Sequence, residues 1–108
     1  MEADRIALKL ESAQRLLGEE IARYYHEISS LQNSLKQMRH AVAAKKGSIA
    51  FYDRVYRESV DSQGSDAYIK KMKSRVRLLD LKEKVWVTRI QILRDLITLQ
   101  YLSGVKIV

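Results

Sequence analysis

The chain has 108 residues, the size of one domain, and its 46% hydrophobic residues suffice for a packed core, so an unfolded tail is not expected. The absence of cysteine excludes disulfides, thiolate metal sites and cysteine nucleophiles. With no proline and only four glycines, the composition favours helices.

Basic side chains outnumber acidic ones, with 20 Lys and Arg against 13 Asp and Glu and a net charge of +7. Such a charge favours binding of nucleic acid, of an anionic membrane or of an acidic protein. Residues 1–60 carry ten basic and eight acidic side chains, whereas residues 61–108 carry ten and five. A charged binding surface is therefore expected in the second half.

The sequence contains no recognisable targeting or membrane signal. No apolar run approaches the roughly 20 residues of a membrane span. The first residues, MEADRIALKLES, alternate charged and apolar side chains instead of forming a signal-peptide core. We expect a soluble, cytoplasmic protein with a single domain over residues 1–108.

A seven-residue repeat of apolar side chains runs through the first half without a change of phase. Thirteen of its sixteen core positions are hydrophobic or aromatic, where about seven are expected from the average composition. The a positions are Ala7, Gln14, Ile21, Ile28, Leu35, Val42, Ile49 and Tyr56, and the d positions are Leu10, Leu17, Tyr24, Leu31, Met38, Lys45, Tyr52 and Ser59. The repeat predicts a coiled-coil helix over about residues 4–60.

A turn is predicted at residues 61–66, DSQGSD, because this segment has no apolar side chain and Gly64 can take the positive φ of a tight reversal. The heptad then resumes, with Ile69, Val76, Glu83, Ile90 and Ile97 at a, and Met72, Leu79, Trp86, Leu93 and Gln100 at d. A second helix is therefore predicted over about residues 67–103. The fold class is an all-α antiparallel coiled-coil hairpin.

Two glycines, Gly18 and Gly47, could each end one helix and begin another. The heptad keeps its phase across both, which favours one long helix, since an interior glycine costs only about 1 kcal/mol relative to alanine. The alternative is a break at Gly18 that folds the first 17 residues back onto the second helix. That arrangement would be a compact monomeric three-helix bundle.

Two charged residues at core positions indicate how the helices face each other. A turn centred on Gly64 places Lys45 opposite Glu83, and these are the only charged residues at a or d in either segment. We predict a buried or half-buried ion pair between them. Its role is to fix the register, because desolvation can cancel most of its attraction.

The same register makes two further predictions. Asp53 faces Lys73 across the flank of the hairpin, and a shift of one heptad would lose this complementary pair. Trp86 packs in the core opposite Val42, so its fluorescence is expected to be blue-shifted in the folded protein.

This hairpin leaves two apolar surfaces uncovered. The first 20 residues overhang the end of the second helix and carry Leu10 and Leu17 at d. The second helix has an additional apolar stripe on its back, made of Leu78, Leu81, Val85, Ile92, Leu99 and Leu102. We expect a partner helix to cover both surfaces, either from a second copy in a four-helix bundle or from a different helical protein.

A basic run, KKMKSRVR, follows the predicted turn and contains Lys70, Lys71, Lys73, Arg75 and Arg77. It offers an electropositive surface to a phosphate backbone or an acidic protein. A solvated helix face is the simpler explanation, since no base-reading motif accompanies the run. Nucleic-acid binding is therefore the second hypothesis, and a membrane-surface helix over residues 85–102 is the third.

Motifs for catalysis and for metal binding are absent from the sequence. It contains no nucleotide-binding loop and no zinc-protease, calcium-binding or serine-hydrolase motif. His26 and His40 lie about 21 Å apart along a helix and cannot share a metal ion. We predict no catalytic residue, metal or cofactor. The main hypothesis is a non-enzymatic structural, scaffold or adaptor protein that acts through helix-to-helix association, as a homodimer or a hetero-complex.

Overall fold

The fold is an all-α antiparallel helical hairpin, as predicted, in a computed structural model that describes residues 1–59 and 62–107. Helix α1 spans Glu2–Glu58 and helix α2 spans Ser62–Ile107. Both helices extend a few residues beyond the predicted starts. The chain divides into two compact units, each of which contains a segment of both helices. Unit 1 comprises Met1–Gln32 and Ile90–Val108, and unit 2 comprises Asn33–Arg89.

Helix α1 is continuous through both of its glycines. A Cβ atom added at Gly18 or at Gly47 would meet no other atom within 4 Å, so neither glycine is needed for a close contact. The apolar repeat outweighs the small cost of an interior glycine. The three-helix bundle requires a break at Gly18, and this alternative is therefore wrong.

The connection between the helices is shorter than predicted, because residues 62–66 of the expected turn belong to α2. The remaining residue of that segment, Asp61, lies outside the described residues. Gly64 is helical, and no glycine in the described part of the chain has a positive φ. A Cβ added at Gly64 would lie 3.4 Å from the Cβ of Ser59 and 3.6 Å from its carbonyl oxygen. These are ordinary van der Waals distances, so Gly64 is buried against Ser59 within a helix and does not form the predicted left-handed turn.

In unit 2, α1 packs through the predicted a and d positions. These side chains are half-buried: Leu35, Met38, Val42, Lys45, Ile49 and Tyr52. The α2 side of the same seam consists of buried Ala67, Ser74 and Thr88 and of half-buried Lys71, Leu78, Leu81 and Val85. Three of these α2 residues are small, and small side chains let two helices approach closely near their connection.

In unit 1, the seam continues to use a and d positions of α1. Leu17, Ile21, Tyr24 and Leu31 are half-buried, and Ile28 is buried. From α2, Ile92 and Leu102 are half-buried, and Asp95 and Leu99 are buried. Among the side chains of this unit that the structure describes as buried, Ile28 and Leu99 are apolar and Asp95 carries a carboxylate.

The prediction for the packed face of α2 is wrong in both units. Leu78, Leu81, Val85, Ile92, Leu99 and Leu102 line the seam, whereas they were expected on the back of the helix. The seam positions follow the predicted ones by two residues, as Leu81 follows Leu79 and Thr88 follows Trp86, and two residues correspond to about 200° around a helix axis. The side chains predicted for the core of α2 consequently face outward.

The predicted ion pair between Lys45 and Glu83 does not form among the described residues. Lys45 is half-buried on the seam, but Glu83 is exposed on the opposite side of α2. The salt bridge that joins the helices of unit 2 is instead Lys71 Nζ to Asp53 Oδ1, at 2.7 Å. Asp53 was expected to face Lys73, but its partner on α2 is Lys71. Trp86, expected in the core, is 64% exposed.

Candidate protein-interaction surface

An apolar stripe lies exposed on the side of α2 that faces away from the seam of unit 2. We call it the outer stripe and define it as Ile69, Met72, Val76, Leu79 and Trp86. The exposed fractions of these residues range from 38% for Met72 to 66% for Leu79. They follow one another by three, four, three and seven residues. This heptad spacing places them on one helix face and is the spacing that packs against another helix.

Contiguous apolar patches of this kind are uncommon on the surface of a monomeric protein and mark interaction sites more often than single exposed side chains do. Trp86 borders a shallow groove that is also lined by Arg39 and Val42 of α1 and by Lys82 and Val85 of α2. An aromatic ring beside a groove is typical of the residues that contribute most to a protein interface. The outer stripe is therefore the candidate functional surface.

Charged side chains border the outer stripe on both of its flanks. The flanking positions hold exposed Lys73, Arg75, Lys82 and Arg89, together with a single acidic residue, Asp80. A further acidic residue, Glu83, occupies a position within the stripe itself, between Leu79 and Trp86. The surface thus combines an apolar centre with predominantly basic edges.

The basic run of the sequence does not form one continuous surface. Lys71 lies on the seam, where its side chain is 15% exposed and bonded to Asp53. Its Nζ also lies 5.9 Å from the ring centroid of Tyr56. Lys70 Nζ is 6.0 Å from the ring centroid of Tyr52, on the α1 side of unit 2. These contacts engage two of the five basic side chains within the fold.

The other three basic side chains, Lys73, Arg75 and Arg77, are exposed. Lys73 and Arg75 belong to the flanks of the outer stripe, and Arg77 lies on another side of α2. The run therefore contributes charge to the edges of an apolar surface. A broad phosphate-binding patch would need more of these cations on one face.

Asp53 is the electrostatic centre of the contact between the helices of unit 2. The hydrogen bond from Lys71 holds the pKa of Asp53 below its usual value of 3.8, although burial opposes this effect. The positive charges of Arg57, Lys71 and Arg75 lower the pKa further. Arg57 also forms a salt bridge to the second carboxylate oxygen at 3.0 Å. The carboxylate is therefore held in its charged form, and this site is structural.

Unit 1 has exposed apolar surfaces of its own. In its α1 segment, Ile6, Leu8, Leu10 and Leu16 are at least 58% exposed, as expected for the predicted overhang. Leu17, which was assigned to the same surface, is half-buried. In its α2 segment, the outward positions are Ile90, Leu93, Ile97 and Tyr101, each at least 47% exposed.

Asp95, in unit 1, is a buried residue that the sequence analysis did not single out. It is 3% exposed, and its Oδ1 accepts a hydrogen bond from Gln91 Nε2 at 3.0 Å. Its Oδ2 is buried without a hydrogen-bond partner among the described residues. The spacing of Asp95 from Ile92 and Leu99, by three and four residues, is the signal that could have placed it on the seam.

In the part of the chain that the structure describes, no three His, Cys, Asp or Glu side chains lie close enough together to hold a metal ion. His26 and His40 are both exposed. Neither described helix contains a stretch that is long and apolar enough to span a membrane.

Comparisons with known proteins identified no similar family and no similar protein. No protein-family model matches the chain, and no match was found among curated proteins or among solved structures.

Proposed function

We propose that this protein is a non-enzymatic interaction module, a scaffold or adaptor that binds a helical protein partner through the outer stripe. One observation carries the proposal: α2 has apolar heptad positions on two opposite sides, and the hairpin covers only one of them. A helix that is apolar on two sides is ordinarily buried between neighbours. A partner helix would supply the neighbour that unit 2 lacks on its outer side.

The mechanism would be the removal of Val76, Leu79 and Trp86 from water. Burial of apolar surface contributes about 25 cal/mol per Å², and heptad spacing lets the side chains interlock with those of a second helix. Large apolar and aromatic side chains at the centre of a contact, surrounded by polar groups, are the usual source of binding energy in protein interfaces. The exposed apolar segment of unit 1, with Leu10, offers a second contact of the same kind.

Nucleic-acid binding receives less support from the arrangement of charge. Affinity for a phosphate backbone rises with the number of cations that can reach it. Lys71 is bonded to Asp53, and Lys70 lies against Tyr52, so the basic run presents fewer free cations than its sequence indicates.

The experiment compares proteins captured from the native source by three forms of the chain: wild type, Leu79→Glu and Gln37→Glu. Leu79 lies in the outer stripe, and Gln37 is an exposed α1 residue of unit 2 that lies outside the stripe. Both variants introduce one negative charge at an exposed position, and circular dichroism verifies that both stay helical. Light scattering over a range of concentrations measures self-association in parallel.

We expect a protein partner, or self-association, that wild type and Gln37→Glu share and that Leu79→Glu loses. Association that persists in Leu79→Glu would show that the outer stripe is not the binding surface. Absence of any association in all three forms would contradict the proposed function.

A further inference from the structure

The charge around the outer stripe identifies the chemistry of its partner. We propose that the outer stripe of unit 2 binds an acidic amphipathic helix of a different protein, with apolar a and d positions and Glu or Asp along the flank that meets Arg75, Lys82 and Arg89. This inference rests on the proposed function, since it names the partner class for the same surface.

The flanks of the stripe carry four exposed basic residues and one acidic residue. In the heptad of the stripe, Arg75, Lys82 and Arg89 occupy the g positions and Lys73 occupies an e position. Side chains at e and g lie beside the apolar contact of two paired helices and select the partner by charge. Acidic side chains on the partner would therefore meet three cations on the g edge, whereas the e edge offers Lys73 and, one heptad later, the acidic Asp80.

Glu83 adds a second requirement. It occupies an a position of the stripe between Leu79 and Trp86, so a partner helix would cover it. A covered carboxylate needs an opposite charge or hydrogen-bond donors to offset the loss of water. The partner is therefore expected to carry one Lys or Arg at the core position that faces Glu83. This polar contact would also fix the register of the two helices.

A second copy of the same chain fits this surface poorly. In a parallel, in-register pair, the a position places Glu83 directly against Glu83 of the other copy. In an antiparallel pair, each flank faces the same flank of the other copy, so the edge with Arg75 and Lys82 would face an identical basic edge. Like charges in contact disfavour association. A different chain with acidic flanks avoids both conflicts.

The test uses three synthetic three-heptad helical peptides with one shared apolar core and a Lys at the position facing Glu83. Their e and g positions carry Glu in the acidic peptide, Gln in the neutral peptide and Lys in the basic peptide. Binding to the full chain is measured by calorimetry and by the emission of Trp86, the only tryptophan. Two further measurements are made. Binding of a duplex RNA to the chain is measured, and sedimentation of the chain alone detects self-association.

Four forms of the chain are compared: wild type, Leu79→Glu, the flank variant Arg75→Glu/Lys82→Glu, and the control Arg77→Glu/Lys84→Glu. The control makes the same change of net charge at exposed residues outside the e and g positions. All the substituted residues are exposed, so each form is expected to fold, and circular dichroism verifies this.

The acidic peptide is expected to bind wild type roughly tenfold or more tightly than the neutral peptide at low salt. Its binding shifts the Trp86 emission to shorter wavelength. Leu79→Glu and the flank variant lose this preference, whereas the control retains it. The flank variant also gains affinity for the basic peptide.

Three contrary results distinguish a failure of the charge assignment, of the whole inference and of the proposed function. Equal or tighter binding of the neutral or basic peptide overturns the charge assignment and leaves the interaction function standing. RNA or acidic-peptide binding that is unaffected by Leu79→Glu overturns the inference in favour of a general polyanion surface. If no peptide binds, the inference is wrong, and the proposed function falls with it only if the capture experiment and sedimentation also show no association.

Discussion

Lys71 Nζ of α2 lies 2.7 Å from Asp53 Oδ1 of α1, so these two residues face each other across the helix contact of unit 2. Thr88 Oγ1 of α2 lies 3.6 Å from Met38 Sδ of α1, in agreement with the same alignment. The pairing differs by two residues from the one expected from the heptads. The two alignments can be distinguished because they assign different lysines to Asp53.

Replacing Lys71 with Met should destabilise the hairpin, because it removes the principal partner of a carboxylate that lies on the helix contact. The matched variant Lys73→Met removes an exposed lysine and should change stability by no more than about 0.5 kcal/mol. Urea unfolding of both variants, each also combined with Asp53→Asn, gives the coupling energies. Coupling of Asp53 to Lys73 instead of Lys71 would show that the predicted alignment is correct.

The stability that Asp53 contributes should depend on pH. Because the hydrogen bond from Lys71 lowers the pKa of Asp53 in the folded state, the unfolded chain binds the proton more tightly. The contribution is therefore fully present above the usual pKa of 3.8 and is lost as the pH falls through the lower folded value. Chemical unfolding of wild type and Asp53→Asn from neutral to acidic pH measures the difference. A difference that stays constant below pH 3.8 would refute this origin of the stability.

The continuity of α1 predicts that alanine is better than glycine at its two interior glycines. Gly18→Ala and Gly47→Ala should each raise the free energy of unfolding by up to about 1 kcal/mol, because alanine favours the helix and its Cβ meets no neighbour. Thermal and urea unfolding provide the measurement. A loss of stability in either variant would indicate that the helix ends or turns at that glycine.

Because the carboxylate of Asp95 is buried, we expect that an apolar side chain at this position stabilises unit 1. Asp95→Leu should raise the free energy of unfolding by about 1–3 kcal/mol, because the carboxylate is buried with one oxygen unpaired. Asp95→Asn keeps the shape of the side chain but removes its charge, so it should give a smaller gain. A clear loss of stability in Asp95→Leu would mean that the carboxylate has a stabilising partner.

The packed face of α1 could be predicted from the sequence because that helix has one apolar side. Along it, Ile28, Leu35 and Val42 lie on the seam as expected. Helix α2 is apolar on two sides, so its periodicity alone does not decide which of the two faces packs against α1. Counting apolar side chains favours the face with Leu79 and Trp86.

The packed face of α2 contains buried Ser74, Thr88 and Asp95, which a hydrophobic count penalises. The choice between the two faces depends on how α2 fits against α1, which the periodicity of α2 alone does not describe. Gly64 was expected in a left-handed turn because of its residue type, but it is helical and its φ is not positive.

The central claim is that the hairpin leaves the outer stripe of α2 uncovered. The most direct test compares the stability of Leu81→Ala with that of Leu79→Ala in the isolated chain. Leu81 is half-buried on the seam, and Leu79 is 66% exposed in the outer stripe. Urea unfolding at a concentration where the chain is monomeric should show a loss of about 2 kcal/mol for Leu81→Ala and of no more than about 0.5 kcal/mol for Leu79→Ala. The reverse order would place Leu79 in the hairpin core and contradict the account.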